Sequence, residues 1–205
     1  LGFEYGQLDI GKGERVNIEY VSVNPTGSLH IGHARGASAG DSLGRIMKKA
    51  GFDVTREYYV NDAGNQINNL ALSIQSRYLE ICGIQTSMPE DGYHGPEIIE
   101  AARKMYEEFG NEYVGNDDAI EFFKKTGVDN LLIELKKDLD DFRVGFDVWF
   151  SEKSLYENNE VEKTIEFLKN NNFTYEFEGA LWLKTSDYKD EKDRVIIKTD
   201  GTYTY

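Results

Sequence analysis

Two of the chain's three histidines stand three residues apart, in His30-Ile31-Gly32-His33. They follow the turn Asn24-Pro25-Thr26-Gly27-Ser28 and open a segment of helical pattern. Imidazoles at i and i+3 on the first turn of a helix face one side. The same helix end offers unpaired N–H groups and the positive end of the helix dipole. Such a set of donors suits an anion, and a nucleotide polyphosphate in particular. Gly32 leaves the backbone bare, so a flat ring can lie against it. A bare His-x-x-His also fits a metal pair or two polar residues at a helix start, but neither a Glu-x-x-His nor a cysteine partner accompanies it, so no metal site is expected. No G-x-x-x-x-G-K-[ST] loop occurs, and Gly11-Lys12-Gly13 lies before a strand, not after one.

Acidic and amide groups around this motif form a second set. On alternation, Glu19 and Val21 point away from Ile18 and Tyr20. Glu19 is then either a ligand-facing acid or an exposed strand carboxylate. Asp62 and Gln66 lie one helical turn apart after the second strand. They either share a crevice with the histidines, or Asp62 simply caps a helix.

The elements needed to position these groups can be read from the pattern. Residues 16–23 are β-branched and aromatic, as in a buried strand. A helix is expected from about Ile31 to Ala50, with Ile31, Ala34, Leu43, Ile46, Met47 and Ala50 on one face and Gly51 at its end. Residues 53–60 predict a second strand. The resulting βαβ unit implies a parallel, Rossmann-like α/β sheet, with a ligand at the carboxyl ends of its strands. Further helices are expected from Gly64 to Gly83, along Ile98–Phe109, along Val128–Phe142 and along Val161–Leu168. Asp147–Phe150 predicts a returning strand, and residues 173–186 and 194–205 predict two more.

The 205 residues carry a net charge of −14, which disfavours unaided nucleic-acid binding. Residues 1–70 hold 7 basic against 8 acidic side chains, whereas residues 71–205 hold 16 against 29. The acidity belongs to the second part, as a solvated helical surface, and the first part tolerates an anionic ligand. Cys82 is the only cysteine, so no disulfide framework is expected. No stretch approaches the roughly 20 apolar residues of a membrane helix. With no export signal evident, a cytoplasmic protein without a membrane partner is expected.

Residues 24–33, Asn-Pro-Thr-Gly-Ser-Leu-His-Ile-Gly-His, resemble the HIGH signature of class I aminoacyl-tRNA synthetases. The continuation His33-Ala34-Arg35-Gly36-Ala37 and the block Arg56-Glu57-Tyr58-Tyr59-Val60-Asn61-Asp62-Ala63-Gly64-Asn65-Gln66-Ile67 narrow this to the arginyl-tRNA synthetase family of bacterial type. The resemblance implies ATP-dependent formation of arginyl-adenylate, then transfer to tRNA(Arg). ATP would enter as a substrate with Mg2+, and no prosthetic group is implied. His30 and His33 would be the catalytic pair. Thr26, Gly27, His30, Gly32 and His33 would bind ATP, with adenine at Gly32. Glu19, Ser22, Val23, Asn24, His33, Asp62, Gln66 and Tyr205 would bind arginine.

The sequence also departs from the family. It has no Lys-Met-Ser-Lys-Ser-like loop, no anticodon-binding domain and no domain for the tRNA elbow. The expectation is a fragment of a catalytic domain, inactive by itself, whose parent meets tRNA through domains absent here. Residues 1–83 would form the first Rossmann half, 84–145 a helical connective insertion, and 146–205 the return to the sheet. Rival readings are a small-molecule nucleotidyltransferase sharing the histidine signature, and a catalytically silent synthetase-like binding module.

Overall fold

The structure, a computed structural model, describes residues 2, 5–116 and 119–204. These divide into two compact units, residues 1–153 and 154–205.

In the first unit, strand β1 (Arg15–Glu19) leads to helix α1 (Ile31–Lys49) and strand β2 (Asp53–Val60). Helices α2 (Asn65–Ile81), α3 (Pro96–Phe109) and α4 (Ala119–Asp141) precede strand β3 (Val148–Ser151). The sheet runs β1-β2-β3 and is wholly parallel. Ile18 lies in register with Arg56, and Tyr58 with Trp149. This is the expected α/β architecture, with each strand's carboxyl end feeding a turn at one edge of the sheet.

Helix α1 meets the sheet differently from the expectation. Its buried residues are Ala37, Gly40, Asp41 and Gly44, while Ile31, Leu43 and Ile46 are exposed. Close approach decides this. A Cβ on Gly40 would fall 2.2 Å from Cγ of Tyr20, so only a residue without a side chain lets the helix reach that ring. The small residues therefore face the sheet, and the large apolar ones do not.

Two apolar cores fill this unit. One joins α2, α3 and α4 through Leu70, Ile74, Tyr78, Ile98, Met105 and Phe123, all essentially inaccessible. Each such side chain contributes roughly 1.5–3 kcal/mol by leaving water. The other lies against the sheet and joins Tyr20, Ala37, Tyr58 and Val60 to Leu135, Leu139 and Val144. Helix α4 serves both, giving Val128 and Leu131 to the first and Leu135 and Leu139 to the second. Its last turn is thereby held near the start of α1. Arg56 ties the sheet together electrostatically. Its guanidinium donates to both carboxylate oxygens of Asp147, at 3.0 and 2.8 Å, and stands 3.7 Å from the buried Asp41. This pairing holds the Asp147 carboxyl far below the ordinary carboxylate range.

The helices of residues 84–145 pack on α2 within the first unit, because their apolar faces complete its core. Of the strands expected in 146–205, β3 alone joins the parallel sheet.

The second unit holds helix α6 (Glu160–Asn170), entered after the short helix α5 (Lys153–Glu157). It also holds a separate antiparallel sheet of β4 (Thr174–Phe177), β5 (Ala180–Leu183) and β6 (Arg194–Ile197). The strand expected over 173–186 is a hairpin. Glu178 and Gly179, with φ of 50° and 76°, make the two-residue turn that splits it. Among the described residues no helix is long and apolar enough to cross a membrane.

Candidate functional site

Strand β1 stops four residues before its expected end. Tyr20 N still donates to the Glu57 carbonyl at 3.3 Å, but Val21 and Ser22 then take φ of 67° and 43°. A β-branched residue is a marked outlier in this region, and each such residue costs on the order of 1–3 kcal/mol unless its surroundings hold it. Strand β2 does so with side chains. The Ser22 hydroxyl accepts from Tyr59 N at 3.0 Å. The Tyr58 hydroxyl accepts from Val23 N at 3.0 Å and donates to Val23 O at 2.8 Å. The chain is thereby turned through Asn24 and the buried Pro25 toward α1.

At the entry to α1, His30 is the N-cap, with an extended backbone. Its Nδ1 accepts the Gly32 N–H at 3.1 Å. The Nδ1 of His33 accepts the His30 N–H at 3.2 Å, which closes a reciprocal cap. The two rings stack, 3.5 Å between centroids and 25° between planes. Because each Nδ1 is an acceptor, the proton of each neutral ring sits on Nε2. The pair therefore carries two Nε2–H donors on one side of a helix N-terminus. No acidic residue occupies the first turn to offset the dipole. Burial, and then the neighbouring His30, hold His33 below the ordinary histidine value, which favours the neutral ring. Gly32 is needed for this cap, since a Cβ there would lie 2.9 Å from Cε1 of His30. The Gly32 backbone itself stays exposed beside the His30 ring.

A cleft of about 480 Å3 opens beside the pair, between Leu29, Ile31 and Ala34 on one wall and, on the other, Asp138 and Leu139 of α4 with Phe142 just past its end. Gly27 lines a neighbouring cleft of about 440 Å3 facing α3 and α4. Thr26 sits half-buried in the turn, its N–H donating to the Asn24 carbonyl at 2.7 Å.

The carboxyl ends of the three parallel strands bring a second group together. Asn24 Nδ2 donates to Gln66 Oε1 at 2.6 Å. The Asn61 amide, with its NH2 turned that way, donates to Glu152 Oε2 at 2.9 Å and to the Ala63 carbonyl at 3.2 Å. Asp62 accepts from the Ser151 hydroxyl at 2.6 Å and from Lys153 N at 2.8 Å, so it fastens the end of β3. The N-cap of α2 is Gly64. Burial, and then the charge of Asp62, raise the Glu152 carboxyl above its ordinary value, and a cation placed there would reverse that shift.

The expected site residues thus fall into groups. His30, Gly32 and His33 form one constellation, and Asn24 and Gln66 another. Ser22 and Val23 belong to the turn that joins them. Glu19 is exposed on the edge strand β1, in register with Glu57. Tyr205 lies outside the described residues. Glu152 and Asn61 were missed as site residues by sequence reasoning. The available signal was their position just past the ends of β3 and β2, where parallel sheets bind ligands. Among the described residues no cluster of three or more histidine, cysteine or acidic side chains could hold a metal ion.

Comparison with known proteins bears on this geometry. The family model described as tRNA synthetases class I (R), catalytic domain, matches residues 3–205. Arginine–tRNA ligase of Bacillus subtilis is 53% identical over 206 residues, which is 100% of this chain and 37% of the relative. The enzyme of the same name from Anoxybacillus flavithermus is 54% identical with the same coverage. This chain therefore spans little more than a third of these relatives. A crystal structure from Campylobacter jejuni assigned to arginyl-tRNA synthetase superposes with a TM-score of 0.88 at 40% identity, over 98% of this chain and 44% of that one. The Thermus thermophilus arginyl-tRNA synthetase shares the fold, with a TM-score of 0.64 at 22% identity, over 94% of this chain and 34% of that one. The chain belongs to the class I tRNA synthetase family, in its arginyl (R) catalytic-domain branch.

Proposed function

We propose that this chain provides the ATP-phosphate and amino-acid subsites of an arginine–tRNA ligase. The observation that carries the reading is the reciprocal histidine cap, which leaves two Nε2–H donors side by side at a helix N-terminus. In the first step the arginine carboxylate attacks the α-phosphate of MgATP, giving arginyl-adenylate and pyrophosphate. In the second the arginyl group passes to the terminal adenosine of tRNA(Arg). Nucleotidyl transfer needs positioning and charge stabilisation rather than a side-chain nucleophile. His30 and His33 donate to phosphate oxygens, most strongly as negative charge develops in the transition state.

For the amino acid, the crevice of Asn24, Gln66, Asn61 and Glu152 supplies amide dipoles and a carboxylate. These suit the α-ammonium or guanidinium group of arginine. The net charge of −14 agrees with assigning the tRNA to the remainder of such an enzyme.

A graft tests the reading. This chain replaces the matched 206-residue segment of the Bacillus subtilis relative. The graft is expected to show arginine-dependent ATP–pyrophosphate exchange that falls at least about 100-fold in His30→Ala/His33→Ala. Glu152→Gln is expected to raise the KM for arginine and leave that for ATP in place. The 205 residues alone should give no exchange above the double variant. A folded graft without exchange, or one driven by pantothenate instead of arginine, contradicts the proposal.

A further inference from the structure

The parallel ladder between β1 and β2 ends at Glu19 and Glu57, yet the turn that follows must still be held for Asn24 to face the crevice. One hydroxyl takes over where the backbone pairing stops. Tyr58 Oη donates to Val23 O at 2.8 Å and accepts from Val23 N at 3.0 Å, so it satisfies both polar groups of one residue. The ring behind it is fully buried. It stacks on Trp149, 4.4 Å between centroids and 22° between planes, and meets Phe146 edge-on at 5.3 Å. A ring packed in this way makes its hydroxyl a fixed point. Burial also raises the hydroxyl well above the ordinary tyrosine value, so it stays protonated and keeps both hydrogen-bonding roles.

We propose that Tyr58 is a positioning residue for the amino-acid subsite, fixing the direction of the Asn24 amide by clamping Val23. The proposal rests on the reading of the crevice as the arginine subsite. Two residues before the clamp's grip the backbone is in the left-handed region, at Val21, and it stays there at Ser22. One residue after it, Asn24 reaches Gln66 at 2.6 Å. The clamp thus sits between a segment that tends to relax and the amide that the substrate meets. Ser22, through its bond from Tyr59 N, is a second and weaker tether on the same strand. Removing the Tyr58 hydroxyl leaves Val23 N and O without their partner, frees Val21 and Ser22 to move toward extended conformers, and lets Asn24 leave Gln66.

The test uses the 205-residue chain and Tyr58→Phe, which keeps the ring stack and deletes only the hydroxyl. Backbone amide exchange at Val23, affinity for L-arginine and affinity for ATP are measured by NMR, alongside thermal unfolding. The expected result is exchange at Val23 at least about tenfold faster and L-arginine binding about tenfold weaker, with ATP binding unchanged. A purely structural role would weaken both ligands together with stability. Parallel loss, unchanged exchange, or faster exchange with unchanged L-arginine affinity overturns the proposal. If Tyr58→Phe fails to fold, Ser22→Ala is read in the same way, with a smaller arginine-specific loss expected and a parallel or absent loss overturning the proposal. If the wild-type chain binds no L-arginine, the arginine-subsite reading falls and the substrate role of Tyr58 falls with it, while the exchange result still decides whether the clamp exists.

Discussion

The imidazole of His33 accepts the backbone N–H of His30 through Nδ1 at 3.2 Å and lies stacked on the His30 ring, 3.5 Å between centroids. A helix cap usually uses a short oxygen-bearing side chain. Here rings do the capping, and the consequence is chemical. The cap occupies one nitrogen of each ring and leaves the other as a donor, so the contact that starts the helix also sets the tautomer of the site.

That arrangement is acid-sensitive, with a definite sign. Folding holds His33 below its ordinary value of 6.5. The unfolded chain therefore takes up the proton first as pH falls, and stability decreases with falling pH once pH drops through the unfolded value. The loss levels off below the lowered folded value. Urea unfolding between pH 7.5 and 5 should show this decline in the wild type and a shallower one in His33→Gln. An equal slope in both proteins would place the titration elsewhere.

The close seat of α1 on the sheet yields a paired prediction. Gly40→Ala puts a Cβ against the Tyr20 ring and should destabilise the chain by about 1–3 kcal/mol through overpacking. Gly36→Ala, on the exposed side with nothing within 4 Å of the added carbon, should stabilise it by about 0.5–1 kcal/mol through helix propensity. Chemical denaturation of the two variants checks the contrast, and similar effects at both positions would show that the helix sits farther from Tyr20.

Much of this was legible in the residues, and the parts that were not share a cause. The histidine spacing, the βαβ unit and the helices lining the apolar core follow from local pattern, as in Ile67, Leu70, Ile74 and Tyr78 along α2. The buried face of α1 was not legible that way, because apolar periodicity selects large residues and close packing selected Ala37, Gly40 and Gly44. The end of β1 was also hidden. Val21 and Val23 have strand propensity, and what turns them is the Tyr58 and Tyr59 tether, 35 and 37 residues away in sequence. The strands expected over 173–186 and 194–205 were assigned to a return to the first sheet, and their separate antiparallel sheet emerged only in three dimensions. Glu152 has no motif around it, and its proposed role follows from its place just past the end of β3.

Imidazole nitrogen NMR on the 205-residue chain asks whether two neutral imidazoles present Nε2–H donors to a triphosphate. At pH 7.5 both His30 and His33 should show the Nε2–H tautomer, with Nδ1 unprotonated. Adding MgATP should shift both Nε2 resonances together, and His94, in the loop before α3, should stay unmoved. Finding Nδ1–H rings, or a titration with ATP that leaves both Nε2 signals in place, would contradict the account.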